Sequence, residues 1–189
     1  MRGTRRFSQA ISEGDGISLL ADASHPDAVR AAELRGAEGF VARPGAGTFR
    51  TETELPILWY GSGEAGEPGL DACVVPVEGL EAENGRLERL FSDALDAGLD
   101  CVVAVRDEDQ LQLALERLDP EILLLQAGTG DHGLEDVLGL LPDVPAGKLA
   151  VAELASVSRE DVAELERAGV DAVIVPASAV EGLLGETAP

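Results

Sequence analysis

The segment Gly69-Leu70-Asp71-Ala72-Cys73-Val74-Val75-Pro76 returns one hundred residues later as Gly169-Val170-Asp171-Ala172-Val173-Ile174-Val175-Pro176. Gly98-Leu99-Asp100-Cys101-Val102-Val103 is a looser third copy. Each joins a glycine and an acid to a short apolar run, as a turn feeding a strand buried on both faces does. Similar runs lie on either side. The candidate strands are Gly16–Asp22, Gly39–Arg43, Pro56–Tyr60, Ala72–Val77, Asp100–Arg106, Ile122–Ala127, Leu149–Leu154 and Ala172–Ala177. Between them, apolar residues recur at helical spacing over His25–Arg35, Asn84–Ala97, Asp107–Leu118, His132–Leu141 and Ser158–Ala168. Ser158 with Asp161 forms an N-cap with an acid at the third helical position. Arg5–Glu13 reads as an extra helix, so residues 1–15 precede the first strand unit.

Eight strand units alternating with helices favour α/β architecture closed as a (β/α)8 barrel of the TIM type, one domain over residues 1–189. A recurrence after four units fits two fused half-barrels; chance likeness among Gly-Asp-apolar strand starts is the other explanation. Two gaps break the alternation. Pro44–Leu55 is too short for a full helix, and Gly61–Leu70 is a Gly, Glu and Pro-rich loop. The barrel is therefore compact, with its second and third helices shortened or missing. Loss of those helices is expected to expose apolar barrel wall, a surface for a protein partner or a second copy.

Composition narrows the function. The 189 residues carry 14 Lys and Arg against 36 Asp and Glu, a net charge of −22 at pH 7. Nucleic acid and anionic membranes are excluded as partners, because phosphate affinity needs clustered cations. No apolar run is long enough to span a bilayer and no signal-peptide core follows the basic start, so a cytoplasmic protein is expected. Cys73 and Cys101 are expected as buried reduced thiols. His25 and His132 have no partners at ligand spacing, so no metal site is expected, and no cofactor motif is found. Lys148 is the only lysine.

Several stretches resemble the indole-3-glycerol phosphate synthase family. Val103-Ala104-Val105-Arg106-Asp107-Glu108-Asp109-Gln110-Leu111 looks like that family's fifth strand and following helix. Val151-Ala152-Glu153-Leu154-Ala155-Ser156 is similar to its seventh-strand motif, and Ala168–Val175 to its eighth strand. Phe7–Ile11 resembles the pre-barrel helix, and Ile17–Ser24 the first strand with its Ala-Ser exit. The resemblance implies a barrel that closes an indole ring by decarboxylation and dehydration of a phosphorylated, anthranilate-derived substrate in tryptophan biosynthesis. It also implies two lysines, carboxylates and an asparagine as catalytic groups.

Those groups are mostly replaced. The family's first-strand E-x-K corresponds to Leu19-Leu20-Ala21, and its third-strand R-K-D-F to Trp59-Tyr60-Gly61-Ser62. Ala104 replaces the fifth-strand glutamate, and Gln126-Ala127-Gly128-Thr129 the sixth-strand N-N/S-R-D. Glu153 survives; Pro176-Ala177-Ser178 keeps only the last serine of the eighth-strand motif. Lys148 lies before the seventh strand, about 16 Å from the C-terminal face where such barrels do chemistry.

The expected mouth is Asp22, Arg43, Tyr60, Glu78, Arg106, Gln126, Glu153 and Ser178. Glu153, Asp22 and Tyr60 are the candidate catalytic groups, Asp22 and Glu153 as a pair sharing a proton. Arg43, Arg106, Gln126, Ser156 and Ser178 are the candidate ligand-binding groups, for a small phosphorylated or anionic molecule. The arginines either hold such an anion or pair with Asp22, Glu153 or Asp107. Three functions remain open: a non-catalytic binding or interaction protein, an enzyme of altered chemistry, and a lyase of the indole-3-glycerol phosphate synthase type.

Overall fold

The computed structural model describes residues 7–14, 16–61, 69–80, 85–128 and 132–183. Eight parallel strands close into a barrel in chain order: β1 (Ser18–Ala23), β2 (Gly39–Ala42), β3 (Ile57–Trp59), β4 (Ala72–Pro76), β5 (Asp100–Val105), β6 (Ile122–Gln126), β7 (Leu149–Glu153) and β8 (Ala172–Pro176). The closing pair is β1 with β8, in register Leu20↔Ile174. Helix α1 (Phe7–Ser12) precedes the barrel; α2 (Pro26–Leu34), α3 (Arg86–Asp96), α4 (Glu108–Arg117), α5 (Gly133–Leu140), α6 (Arg159–Ala168) and the short α7 (Val180–Leu183) follow β1, β4, β5, β6, β7 and β8. The fold is the compact TIM-type barrel expected, with helices missing.

Strand alternation divides the core in two. Leu20, Val41, Leu58, Val74, Val102, Leu124, Val151 and Ile174 fill the barrel interior. Their neighbours, such as Leu19, Phe40, Ile57, Val103, Leu123 and Val173, face the helical layer. Helix α1 closes the N-terminal end. Phe7 and Ile11 are buried within the interior cluster, and the Ser8 amide donates to the Asp100 carboxylate at 2.9 Å.

The recurring Gly-x-Asp segment has one job at two opposite places. The Asp71 amide donates to Ile57 O at 3.0 Å, and its carboxylate accepts from Ile57 N at 2.8 Å. The Asp171 amide donates to Ala150 O at 2.9 Å, and its carboxylate accepts from Ala150 N at 2.7 Å. Each aspartate's own carbonyl then accepts from the next strand, from Asp100 N and from Ser18 N respectively. One carboxylate thus ties β3 to β4 and the other ties β7 to β8. Gly69 and Gly169 precede them with φ +95 and +96, a left-handed conformation that favours glycine. The third copy differs: Asp100 anchors α1 instead.

The local helix signals act as chemistry requires. Ser158 and Asp161 form a reciprocal capping box, with Asp161 Oδ2 accepting from Ser158 N at 2.7 Å and Ser158 Oγ accepting from Asp161 N at 3.2 Å. Asp107 caps α4 by accepting from Gln110 N at 2.8 Å. His25 is the N-cap of α2 and accepts from Ala28 N through Nδ1. His132 is exposed beside Glu135.

After β2 no helix forms, but the wall there is not left bare. The connecting loop buries Ala46, Phe49 and Thr53, and Phe49 joins the outer core. Arg50 fixes the loop by donating to Gly69 O at 2.8 Å and to the carbonyls of Thr53 and Leu55, and it pairs with Asp71. The expected exposed wall is therefore covered on this side: Phe40 and Ile57 are fully buried. The large apolar side chains that are exposed among the described residues, Leu34 and Leu95, lie on helices. Part of Gly61–Leu70, Thr129, Gly130 and the first residues of the predicted helices at Arg5 and Asn84 lie outside the described residues. No helix among the described residues is long and apolar enough to cross a membrane.

Candidate functional site

The interior alternation carries Asp22, Arg43, Tyr60, Gln126 and Glu153 to the C-terminal mouth, one step beyond Leu20, Val41, Leu58, Leu124 and Val151. There they form one connected network. Arg43 Nε donates to Asp22 Oδ2 at 2.7 Å and its Nη2 to Glu153 Oε1 at 2.8 Å. Glu153 Oε2 accepts from the Tyr60 hydroxyl at 2.6 Å and from Gln126 Nε2 at 2.8 Å. Gln126 also donates to the Tyr60 oxygen. The Arg43 guanidinium stacks on the Tyr60 ring, 4.0 Å from its centroid. β3 and β7 lie on opposite sides of an eight-stranded barrel. The Tyr60–Glu153 bond therefore spans the mouth.

Electrostatics fix the protonation of this network. Burial acts to raise the Glu153 carboxyl, but hydrogen bonds from Tyr60, Gln126 and Arg43, with the Arg43 charge, hold it below the usual carboxylate range. Burial, then the hydrogen bond to Glu153 and its negative charge, push the Tyr60 phenol above its ordinary value. Burial opposes the charge of Arg43, but its bonds to Asp22 and Glu153 prevail and raise it. At neutral pH Glu153 is an anion and Tyr60 a neutral donor to it. Neither is poised to exchange a proton there. Arg43 stands between Asp22 and Glu153 and pairs with both.

The network splits the mouth into two chambers. One, about 280 Å³, is bounded by Asp22, Arg43, Glu153, Leu154, Ala155 and Pro176. The other, about 330 Å³, is bounded by Tyr60, Val74, Pro76, Ala104, Arg106 and Gln126. Arg106 pairs with Glu78 at 2.7 Å on the rim of the second chamber, and not with Asp107, which is the α4 cap. Ser156 and Ser178 are exposed on the loops after β7 and β8, and neither lines a described chamber. The apolar walls, Val74, Pro76, Ala104 and Leu154, were not singled out from sequence as site residues. The same two-residue alternation that gave Glu153 and Gln126 points to Pro76 and Ala104.

Strand β1 follows the same alternation. Leu19 and Ala21 face the helical layer, whereas Leu20 is interior and Asp22 reaches the mouth. The mouth position of β1 is therefore an acid, Asp22. Lys148 donates to Asp119 Oδ1 at 2.6 Å and Pro120 O at 2.8 Å, beside the start of β6 at the opposite end. No group of three or more His, Cys, Asp or Glu among the described residues is arranged to hold a metal ion.

The chain is distantly similar to an indole-3-glycerol phosphate synthase from Geobacillus sp. (strain WCH70), at 32% identity over 110 residues. That match covers 57% of this chain and 42% of the synthase, so the chain matches less than half of the relative's length. Among solved structures, thiamine phosphate pyrophosphorylase from Pyrococcus furiosus shares the fold, with a TM-score of 0.67 at 15% identity, over 88% of this chain and 93% of that one. No family model matches the chain.

Proposed function

We propose that this protein is a divergent, non-catalytic barrel of the indole-3-glycerol phosphate synthase type, which binds a small phosphorylated or anionic ligand at its mouth. The observation that carries this reading is the Asp22–Arg43–Glu153–Tyr60–Gln126 network, which contains no lysine and occupies the mouth with satisfied hydrogen bonds. An indole-forming reaction needs a group that gives up a proton near neutrality. Tyr60 is pushed the wrong way, and Glu153 is held ionised. The names of both similar proteins refer to phosphorylated compounds, which supports an anionic ligand.

Arg106 and Gln126 are the groups assigned to that ligand in the larger chamber, with Arg43 beyond the Tyr60 ring. Ser156 and Ser178 supply hydroxyls on the adjoining loops. The start of α6 is a weaker anion site here, because Glu160 and Asp161 occupy its first turn. The test pairs turnover with binding. The phosphorylated, anthranilate-derived substrate is incubated with the protein and indole formation is followed by fluorescence. Calorimetry with the same compound is run on the parent and on Arg106→Ala. Binding without turnover, weakened at least tenfold by Arg106→Ala, is the expected result. Turnover of about 1 s⁻¹ or more would overturn the non-catalytic reading.

A further inference from the structure

Away from the mouth, the barrel wall carries a pair of nucleophiles that the proposed function leaves unused. Cys73 on β4 and Cys101 on β5 are direct register partners on adjacent parallel strands. Both side chains point to the helical layer, in the same apolar cluster, and both are free thiols. Adjacent strands run about 4.8 Å apart. That spacing lies inside the range of about 4.4–6.8 Å between α-carbons that a disulfide accepts. The Cys101 thiol donates to Phe91 O at 3.5 Å.

The pair is buried but not sealed. Cys73 lines a cavity of about 40 Å³ together with Trp59, Leu90, Asp93 and Ala94. That is room for a water-sized molecule. The cavity lies between strands β3 and β4 and helix α3. Trp59 lines it too, and its buried indole N–H has no hydrogen-bond partner among the described residues.

We propose that Cys73 and Cys101 form a redox-active dithiol that a small peroxide entering this cavity converts to an intramolecular disulfide. The Cys73 sulfur attacks one peroxide oxygen, the O–O bond breaks, and Cys73 becomes a sulfenic acid with release of water. The Cys101 sulfur then attacks the Cys73 sulfur, the S–O bond breaks, and a second water leaves with the Cys101 proton. Two thiols are oxidised by two electrons and one peroxide is reduced to two waters. The assignment of roles follows the environment. Cys73 takes the first role because it lines the cavity, whereas Cys101 donates to Phe91 O and is pushed up by its thiol neighbour and by burial.

The folded full-length chain is treated with millimolar hydrogen peroxide, quenched, denatured and assayed for thiols and by peptide mass. The expected result is loss of both thiols per chain, a peptide pair joined at Cys73 and Cys101 with two hydrogens lost, and full recovery with dithiothreitol. In Cys101→Ala, Cys73 is expected to accumulate as a sulfenic acid trapped by dimedone. In Cys73→Ala, Cys101 is expected to stay reduced. Two free thiols after treatment of the wild-type chain, a disulfide between chains, or oxidation straight to sulfinic acid would each overturn the proposal. The wild-type readout decides it even if a variant fails to fold. It is also independent of ligand binding at the mouth.

Discussion

Arg43 is the residue on which the mouth turns, because it pairs with two carboxylates from different strands. Arg43→Met would leave Asp22 and Glu153 facing each other without a cation. These groups are only partly exposed, so the loss should exceed that of a surface pair and fall short of a fully buried one. About 1–3 kcal/mol is expected in urea unfolding at pH 7. The pH dependence has a definite sign. The folded-state pKa of Glu153 is depressed, so its stabilisation is present above the unfolded value of about 4.3. It is lost as pH falls through the lower folded value. Glu153→Gln should be less stable than the parent at pH 7, and the gap should close towards pH 3. A gap that stays constant across that range would show that Glu153 is not held ionised by its neighbours. The membership of this network was readable from strand alternation: Asp22, Arg43, Tyr60, Gln126 and Glu153 all sit where the mouth should be. Its wiring was not. That Tyr60 crosses the barrel to Glu153, while Arg106 turns away to Glu78, depends on side-chain reach across strands distant in sequence.

At the scale of elements, α1 and the two stitching aspartates close what the strands alone leave open. Phe7 is fully buried in the barrel's interior cluster, so Phe7→Ala should cost about 3–5 kcal/mol, measured by the urea midpoint. A smaller loss, near that of a surface change, would mean that α1 does not plug the barrel. The aspartates offer a contrast. Asp71→Asn loses the ion pair with Arg50, and a cost of about 1–3 kcal/mol is expected. Asp171 is raised by burial, against hydrogen bonds from the Ala150 amide and its own. Its ionised form is thus disfavoured by folding, and stability falls as pH rises from the unfolded value through the folded one. Asp171→Asn keeps a carbonyl acceptor for Ala150 N without the charge. Its midpoint at pH 7 should equal or exceed the parent's, and a fall as large as that of Asp71→Asn would contradict this. Eight strands were legible because each is a short apolar run between turn residues, and their bounds shift by one or two residues at most. The loop after β2 was legible as a non-helix but not as a cover. Nothing in Phe49 or Arg50 alone says that one fills the missing helix's place and the other reaches Gly69 and Asp71.

Over the whole molecule, charge opposes the fold that apolar burial drives. Acids outnumber lysines and arginines 36 to 14, so pairing one to one would leave a majority of carboxylates without a cation. Two effects of salt then compete. Screening weakens ion pairs such as Arg43–Glu153 and Arg50–Asp71, which lowers stability. It also weakens repulsion among the unpaired acids, which raises stability. Repulsion acts over many pairs at long range, whereas these ion pairs are short and partly buried and are screened least. The long-range sum should win. The Debye length falls from about 30 Å at 0.01 M to about 10 Å at 0.1 M and about 3 Å at 1 M. The Tm is therefore expected to rise with sodium chloride, steeply over the first of these intervals and more gently over the second. A calorimetric Tm that falls with salt at pH 7 would mean that the arginine networks outweigh the repulsion. The same series at pH 4, where many exposed carboxylates are protonated, should show a flatter response, because the excess negative charge that salt relieves has been reduced.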